Sequence, residues 1–176
     1  ELRRRVKAMS YGLVYGLSAY GLSQQLSISA GEAKGIMENY FERFGGVKRY
    51  LDEVVEQARR DGYTSTVFGR RRYLPELTSD NRIARENAER AALNAPIQGT
   101  AADIIKVAML RVDDALRDYA SRVLLQVHDE LVLEVAPGEL DAVQAIVERE
   151  MDKAIELLVP LEVSAGTGAN WEEAAH

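Results

Sequence analysis

The chain has 176 residues, of which 47% are hydrophobic, and a formal net charge of −6. This length and composition suffice for one domain, or for a compact piece of a larger one. No apolar run approaches the roughly 18 residues of a membrane-spanning helix, and we expect neither a secretory leader nor a membrane partner. The absence of cysteine excludes disulfides and thiolate metal sites and favours a cytoplasmic protein.

Charge is distributed unevenly along the chain. Residues 1–90 hold 16 Lys and Arg against 12 Asp and Glu, whereas residues 91–176 hold 6 against 16. A basic half joined to an acidic half suits a protein that grips phosphates with one surface and binds cations with another. A solvated, unevenly charged surface explains the same numbers, so composition leaves both interpretations open.

The first 62 residues are predicted to form four helices that glycines end or separate. Two helix starts are predicted at the cap Ser18 and at the capping box of Ser29 with Glu32. The helical stretch 3–15 ends at Gly16, and further helix ends are predicted at Gly45-Gly46, which breaks the third helix, and at Gly62. Because the chain begins with Glu1 inside a basic helical pattern, we expect it to be part of a longer protein.

The rest of the chain is predicted to mix strands and helices. The predicted elements are two short strands around Gly69 within 63–74, a helix from Asn81 interrupted near Pro96, a hairpin over 122–135, a helix over 138–158 and a last strand over 161–165. The predicted class is α+β, mostly helical, with a small antiparallel sheet.

A cationic face is predicted on the first helix. Arg3, Lys7 and Tyr11 are four residues apart, so the three side chains lie within an arc of roughly 80°. Arg offers a planar fork of donors and Lys a mobile point charge, while Tyr offers a flat ring. This set suits a triphosphate clamp, but an exposed basic face with a half-buried Tyr has the same spacing.

The predicted hairpin carries His128, Asp129 and Glu130 at its turn. Residues near the turn are expected to be buried between apolar strands, where a pair of acids needs a cation or a donor. Hard cations such as Mg²⁺ prefer carboxylate oxygens. Since adjacent strand residues point to opposite faces, Asp129 is the better candidate for direct ligation. A solvent-exposed polar turn is the alternative, and the lone His128 does not indicate zinc.

Two further clusters suit a nucleic-acid track. The run Arg70-Arg71-Arg72 could meet backbone phosphates. Arg90, Asn94 and Gln98 recur every four residues, and amide side chains can donate to the minor-groove acceptors that all base pairs share. A solvated Arg run and a simple helix break at Pro96 explain the same residues.

Four segments together resemble the family A DNA polymerases, of the bacterial polymerase I type. RRRVKAMSYGLVYG (3–16) is similar to the fingers motif Arg-x3-Lys-x6-7-Tyr-Gly, and LLQVHDELVLEV (124–135) to the palm motif His-Asp-Glu. FGRRRYLPEL (68–77) and AERAALNAPIQGTAADIIK (88–106) lie between them in the family's order. GTGANWEEAAH (166–176) resembles the family's C-terminus. Residues 1–60 would then be the C-terminal part of the fingers, and residues 61–176 that of the palm.

The resemblance implies a role for each candidate residue. Arg3 and Lys7 would bind the phosphates of the incoming dNTP, Tyr11 would face its sugar and base, and Tyr15 would stack near the template. Many relatives have Phe where Tyr11 stands, and Tyr implies weaker rejection of nucleotides lacking the 3′-hydroxyl. His128 would lie near the primer end and counts among the nucleotide-binding residues. The residues implied to contact primer–template DNA are Arg70, Arg71, Arg72, Arg90, Asn94 and Gln98.

The implied reaction is nucleotidyl transfer assisted by two Mg²⁺ ions, with Lys7, Asp129 and Glu130 as catalytic candidates and Asp129 as metal ligand. The family's other metal-binding Asp belongs to the strand motif Asp-Tyr-Ser-Gln-Ile-Glu, which this sequence lacks. We expect the upstream part of the same polymerase to supply it, along with the thumb and exonuclease-like domains. The chain alone is therefore expected to be inactive or nearly so.

Two other hypotheses remain at this point. A non-catalytic helical module could bind nucleic acid through the basic half. A single-subunit RNA polymerase relative would share the fingers helix and the His-Asp motif, although the Tyr-Gly-Leu-Val-Tyr-Gly and Gln-Gly-Thr-Ala-Ala-Asp segments favour DNA synthesis.

Overall fold

The structure is a computed structural model that describes residues 2–174, with the side chains of residues 2, 4, 5 and 8 left out of the description. Its helices are α1 (Leu2–Val14), α2 (Ala19–Leu26), α3 (Ala30–Arg43), α4 (Gly45–Asp61), α5 (Arg82–Ala115), α6 (Leu140–Asp152) and α7 (Trp171–Ala174). Its strands are β1 (Tyr63–Ser65), β2 (Arg71–Tyr73), β3 (Arg122–Val127) and β4 (Glu130–Glu134), with a 3₁₀ turn at Pro75–Thr78. The chain divides into two compact units between Thr100 and Ala101.

The helix ends in the first unit confirm the capping predictions. Ser18 Oγ accepts a hydrogen bond from the Gly21 amide at 3.1 Å. Ser29 and Glu32 form the reciprocal capping box, with bonds of 3.2 and 2.9 Å. Gly62 ends α4 in the left-handed region at a φ of +77°, which glycine adopts without steric cost. Local hydrogen bonding thus sets where these helices begin and end.

Two apolar clusters form the core of the first unit. Leu13, Leu22 and Ala33 join α1, α2 and α3. The second cluster joins α4, the 3₁₀ turn and α5 through Ala58, Leu74, Leu77, Ala88 and Ala92. The small residues on α4 and α5 let these elements approach closely around the two leucines.

The β1–β2 hairpin confirms the two strands predicted around Gly69, and its loop is anchored on α5. The Val67 amide donates to Thr100 Oγ1 at 3.0 Å, and the Arg70 guanidinium donates to the Gly99 carbonyl at 3.0 Å. A Cβ added to Gly99 would lie 2.7 Å from Thr66 Cγ2. The loop can therefore approach α5 this closely only because residue 99 is a glycine.

The second unit packs the β3–β4 hairpin on helices. Its buried core consists of Val112 of α5, Leu116 directly after that helix, and Val143 and Ile146 of α6. At the open end of the hairpin, the Glu139 carboxylate accepts from the Ala120 amide at 3.1 Å and from the Ser121 amide at 3.0 Å. It also accepts from the Ser121 hydroxyl at 2.6 Å. Glu139 thereby ties the start of β3 to the start of α6.

Three predicted helix boundaries and one predicted strand are wrong. The helix through Pro96 is continuous, although proline removes a donor, because buried residues such as Ala92 and Val112 hold it on both sides. α4 starts at Gly45, so the helix break is at Phe44. α6 stops at Asp152, and residues 161–165 pair with no strand among residues 2–174. A short apolar run does not reveal whether another strand lies beside it to pair with, and strand formation depends on that pairing.

The α+β class is confirmed, with the antiparallel structure split into two separate two-stranded hairpins. Within residues 2–174, the helices are all too short or too polar to cross a bilayer. The fingers and palm boundary near residue 60 and the cytoplasmic location stay predictions.

Candidate functional site

A groove of about 510 Å³ opens beside α1 in the first unit. Lys7 and Tyr11 line it from one face of α1, and Tyr15 lines it from the position directly after the helix. Gln25 of α2 and Arg90 of α5 line it from other elements. The groove therefore joins residues that are separated by up to 83 positions in the sequence.

Close packing after α1 shapes this groove. Cβ atoms added to Gly12 and Gly21 would lie 2.7 and 2.6 Å from the methyl groups of Leu17, so the turn between α1 and α2 closes over Leu17. Gly16 has a φ of +75°, and a Cβ there would lie 2.9 Å from Leu93 Cδ1. The end of α1 thus rests on α5, which brings Arg90 to the groove.

The groove combines positive charge with aromatic surface. Lys7 Nζ lies 5.7 Å from the Tyr11 ring centroid, within the range of a cation–π contact. The Tyr11 and Tyr15 rings are 6.3 Å apart and tilted by 46°. The described lining includes no carboxylate. Such a groove suits an anion attached to a planar ring, since cations bind phosphates and phenol rings stack on bases.

Three other residues predicted to bind nucleotide or DNA are close in sequence to groove residues but do not line the groove. Arg3 is exposed on α1. Asn94 is half-buried, and its Oδ1 is buried without a hydrogen-bond partner among the described residues. Gln98 is exposed one turn further along α5. Their contact with DNA stays a prediction.

The three consecutive arginines of the first hairpin have different surroundings. Arg70 holds the loop to α5 through the Gly99 carbonyl. The Arg71 guanidinium lies 4.5 Å from the centroid of the Tyr63 ring, and Tyr63 pairs across the strands with Tyr73. Arg72 is exposed. Arg70 therefore contributes to the fold, and Arg71 and Arg72 keep their charges at the surface.

The predicted acidic turn lies at the tip of the β3–β4 hairpin in the second unit. Val127 pairs with Glu130, so His128 and Asp129 form a two-residue loop and Glu130 begins β4. All three polar side chains are exposed. The expectation of a buried acidic pair is therefore wrong: a two-residue tip projects beyond the packed part of the hairpin, and water solvates the carboxylates.

The donor chemistry of this tip fits part of a magnesium site. Asp129 and Glu130 offer oxygen ligands, and no cation of the described residues is paired with either carboxylate. In residues 2–174, no three His, Asp or Glu side chains come close enough to hold a metal together. Mg²⁺ is commonly held by one or two carboxylates plus water and substrate phosphates, so two exposed acids fit it as a partial site.

The family model for DNA polymerase family A matches residues 1–173. The chain belongs to DNA polymerase family A. This confirms the resemblance that the fingers and palm motifs indicated.

Individual members of family A are closely similar to this chain. It is 70% identical to DNA polymerase I of Mycobacterium tuberculosis over 178 aligned positions, which cover 100% of this chain and 20% of that protein. It is 52% identical to DNA polymerase I of Streptococcus pneumoniae over 98% of this chain and 20% of that protein. The chain thus spans about a fifth of the length of these relatives.

A solved family A structure has the same fold. It is the POL domain of Pol1 from M. smegmatis in complex with DNA primer-template and dNTP. The similarity has a TM-score of 0.97 at 68% sequence identity and covers 99% of this chain and 31% of that chain.

Sequence patterns missed several groove residues. Gln25 and Leu17 have no spacing signal that joins them to Lys7, because they reach the groove through the turn after α1. Gly12 fits the pattern of α1 as an ordinary helical residue, so no spacing marks it as part of the groove. Outside the groove, Gln126 of β3 has no signal beyond its place two positions before His128 in the palm motif. Only a contact through space distinguishes these residues from their neighbours.

Proposed function

We propose that this chain is the part of a DNA-directed DNA polymerase that binds the incoming dNTP and supplies a metal-binding carboxylate for primer extension. The observation that carries the proposal is the cationic, aromatic groove on a chain 68% identical to a POL domain complexed with DNA primer-template and dNTP. A helical binding module and an RNA polymerase relative gain no support from that comparison.

In this proposal the groove receives the nucleotide. Lys7 and Arg90 are the cations of its lining, and Tyr11 and Tyr15 are its rings. Lys7, with Arg3 at the exposed start of the same helix, binds the triphosphate, and Lys7 can give a proton to the leaving pyrophosphate. The ring of Tyr11 faces sugar and base, and Tyr15 lies toward the template.

DNA contacts are proposed for the remaining cations and amides. Arg71 and Arg72 at the first hairpin bind backbone phosphates, because their charges are exposed. Asn94 and Gln98 follow Arg90 along α5 and sense the minor groove of the primer–template. Primer–template DNA and dNTP are thus the proposed partners.

Asp129 is the proposed ligand for Mg²⁺, with Glu130 beside it and His128 near the primer end. The bound ions would activate the primer 3′-hydroxyl and neutralise the charge of the triphosphate. Asp129 is held at an exposed tip where substrate phosphates can share its ion.

A metal pair needs carboxylates from more than one chain segment. We propose that the second aspartate comes from the upstream part of the same polymerase, since the chain spans 20% of its relatives' length. The 176-residue chain alone is then expected to be inactive.

The test is Asp129→Asn in the polymerase that contains this chain. Incorporation of dNTP should fall at least about a hundredfold, because a bound metal contributes several kcal/mol of transition-state stabilisation. The Kd for primer–template should change less than about twofold, since a single tip side chain makes a small part of the DNA contact.

Asp118→Asn is the matched control, because Asp118 is an exposed acid of the same unit and has no hydrogen-bond or ion-pair partner among the described residues. It should leave incorporation unchanged. Wild-type incorporation by the Asp129 variant would exclude the metal role.

A further inference from the structure

The conformation of the β3–β4 tip depends on one peptide unit. Val127 and Glu130 pair across the hairpin, which leaves the peptide between His128 and Asp129 at the centre of the turn. His128 has a φ of +54°, a left-handed conformation that few side chains adopt, whereas the φ of Asp129 is not positive. Rotation of the central peptide exchanges turn types, because it changes the φ of the second loop residue.

The side chain of Gln126 holds that peptide. Its Nε2 donates to the His128 carbonyl oxygen at 2.6 Å. Among the described residues, no other side chain forms a hydrogen bond to the tip, and His128, Asp129 and Glu130 are all exposed. Packing therefore does not hold the turn, and the amide of Gln126 is the contact that opposes rotation of the carbonyl.

We propose that Gln126 is a positioning residue that fixes the His128–Asp129 peptide and thereby the direction in which Asp129 presents its carboxylate. The inference rests on the proposed metal role of Asp129. Residues that orient a metal ligand without touching the metal commonly change metal affinity about 10- to 100-fold when they are replaced. The required property is a donor, since the partner is a carbonyl oxygen.

Two replacements separate the donor from charge and shape. Gln126→Met has similar length and no charge, and it lacks the amide donor. Gln126→Glu has the same shape and accepts only, but it adds a negative charge near Asp129. Effects shared by both variants follow from loss of the donor. Gln57→Glu on α4 is the control, because Gln57 is an exposed glutamine of the first unit.

The first measurement is the Mg²⁺ dependence of primer extension by the full polymerase. Both Gln126 variants should raise the Mg²⁺ concentration for half-maximal rate about tenfold. The KM for dNTP and the Kd for primer–template should change less than about twofold, because neither contact involves the turn peptide. Equal changes in all three quantities would reveal general damage to the site and overturn the proposal.

The second measurement is independent of activity. Hydrogen exchange of the peptide covering 124–133 in the same polymerase should be about fivefold faster in Gln126→Met, since one hydrogen bond no longer opposes opening of the turn. Faster exchange with unchanged Mg²⁺ dependence would overturn the positioning role, and unchanged exchange would exclude the contact itself. If the wild-type polymerase extended no primer, the proposed function would fail, and exchange would still test Gln126.

Discussion

At the scale of single residues, the ability of the groove beside α1 to bind an anion depends on whether its cations already have carboxylate partners. Lys48 on α4 is bonded to Asp52 at 2.7 Å, one helical turn away. Lys7 has no carboxylate partner among the described residues, and its Nζ lies 5.7 Å from the centroid of the Tyr11 ring. The charge of Lys7 is therefore available to an anionic ligand, whereas that of Lys48 is partly neutralised.

Replacement of Lys7 tests that difference. In the polymerase that contains this chain, Lys7→Ala should lower kcat/KM for dNTP at least about tenfold. The reason is that hydrogen bonds to charged groups contribute about 1.5–3 kcal/mol. Lys48→Ala removes the same side chain from another helix and should leave kcat/KM unchanged. Single-turnover incorporation measures both. A Lys7 variant that lost only DNA affinity would contradict the nucleotide role.

At the scale of elements, glycine has opposite roles on two helices. Gly99 lies in α5 where an added Cβ would be 2.7 Å from Thr66 Cγ2, and Thr66 is a buried, β-branched residue. Gly35 lies inside α3, and a Cβ there would meet nothing within 4 Å. Helix propensity favours alanine at both positions, but packing opposes it only at Gly99.

The two alanine variants should therefore differ in sign. Gly35→Ala should raise the free energy of unfolding by about 0.5–1 kcal/mol, since alanine restricts the unfolded chain. Gly99→Ala should lower it by about 1–3 kcal/mol, because Thr66 and the anchored loop must move. Urea denaturation of both variants provides the comparison. Stabilisation by Gly99→Ala would show that the loop yields without cost.

The predicted helix ends are correct where hydrogen bonds between residues close in sequence set them. They are wrong where packing against other elements sets them. The caps at Ser18 and Ser29 depend on residues three positions away, which the sequence displays directly. The continuous helix at Pro96 depends on burial along both of its halves. No pattern over four or five residues contains that information.

At the scale of the whole molecule, charge follows the division into compact units. Residues 91–100 carry no Asp, Glu, Lys or Arg, so the unit ending at Thr100 keeps the excess of 16 basic over 12 acidic residues. The unit that begins at Ala101 holds 16 acidic residues against 6 basic ones. The groove thus belongs to the basic unit, and the carboxylates of the β3–β4 tip belong to the acidic one.

Acid should weaken the acidic unit through Glu139. Hydrogen bonds from Ser121 and from the Ala120 amide lower the pKa of the Glu139 carboxyl below its ordinary value of 4.5. The unfolded chain therefore takes up this proton first, and the stabilisation present above that value is lost as pH falls through the lower, folded pKa. Glu139→Gln turns an NH₂ group toward N–H donors and should remove this pH dependence.

The measurement is the unfolding temperature between about pH 7 and pH 3. Glu139→Gln should lower it at neutral pH and flatten its decline in acid. Glu156→Gln is the matched control, because Glu156 is exposed and has no partner among the described residues. Parallel curves for Glu139→Gln and the wild type would show that this carboxylate does not link folding to protonation.

The sequence by itself determined the helix caps, the two hairpins, the α+β class and the family, because these follow from residues close together and from motifs in a characteristic order. Tertiary structure alone decided that Gln25 and Arg90 join Lys7 in one groove, that Arg70 anchors a loop, and that the acids of the tip are exposed. Local patterns encode the direction of a side chain on its own element. Only the packing of elements against one another decides what that side chain meets.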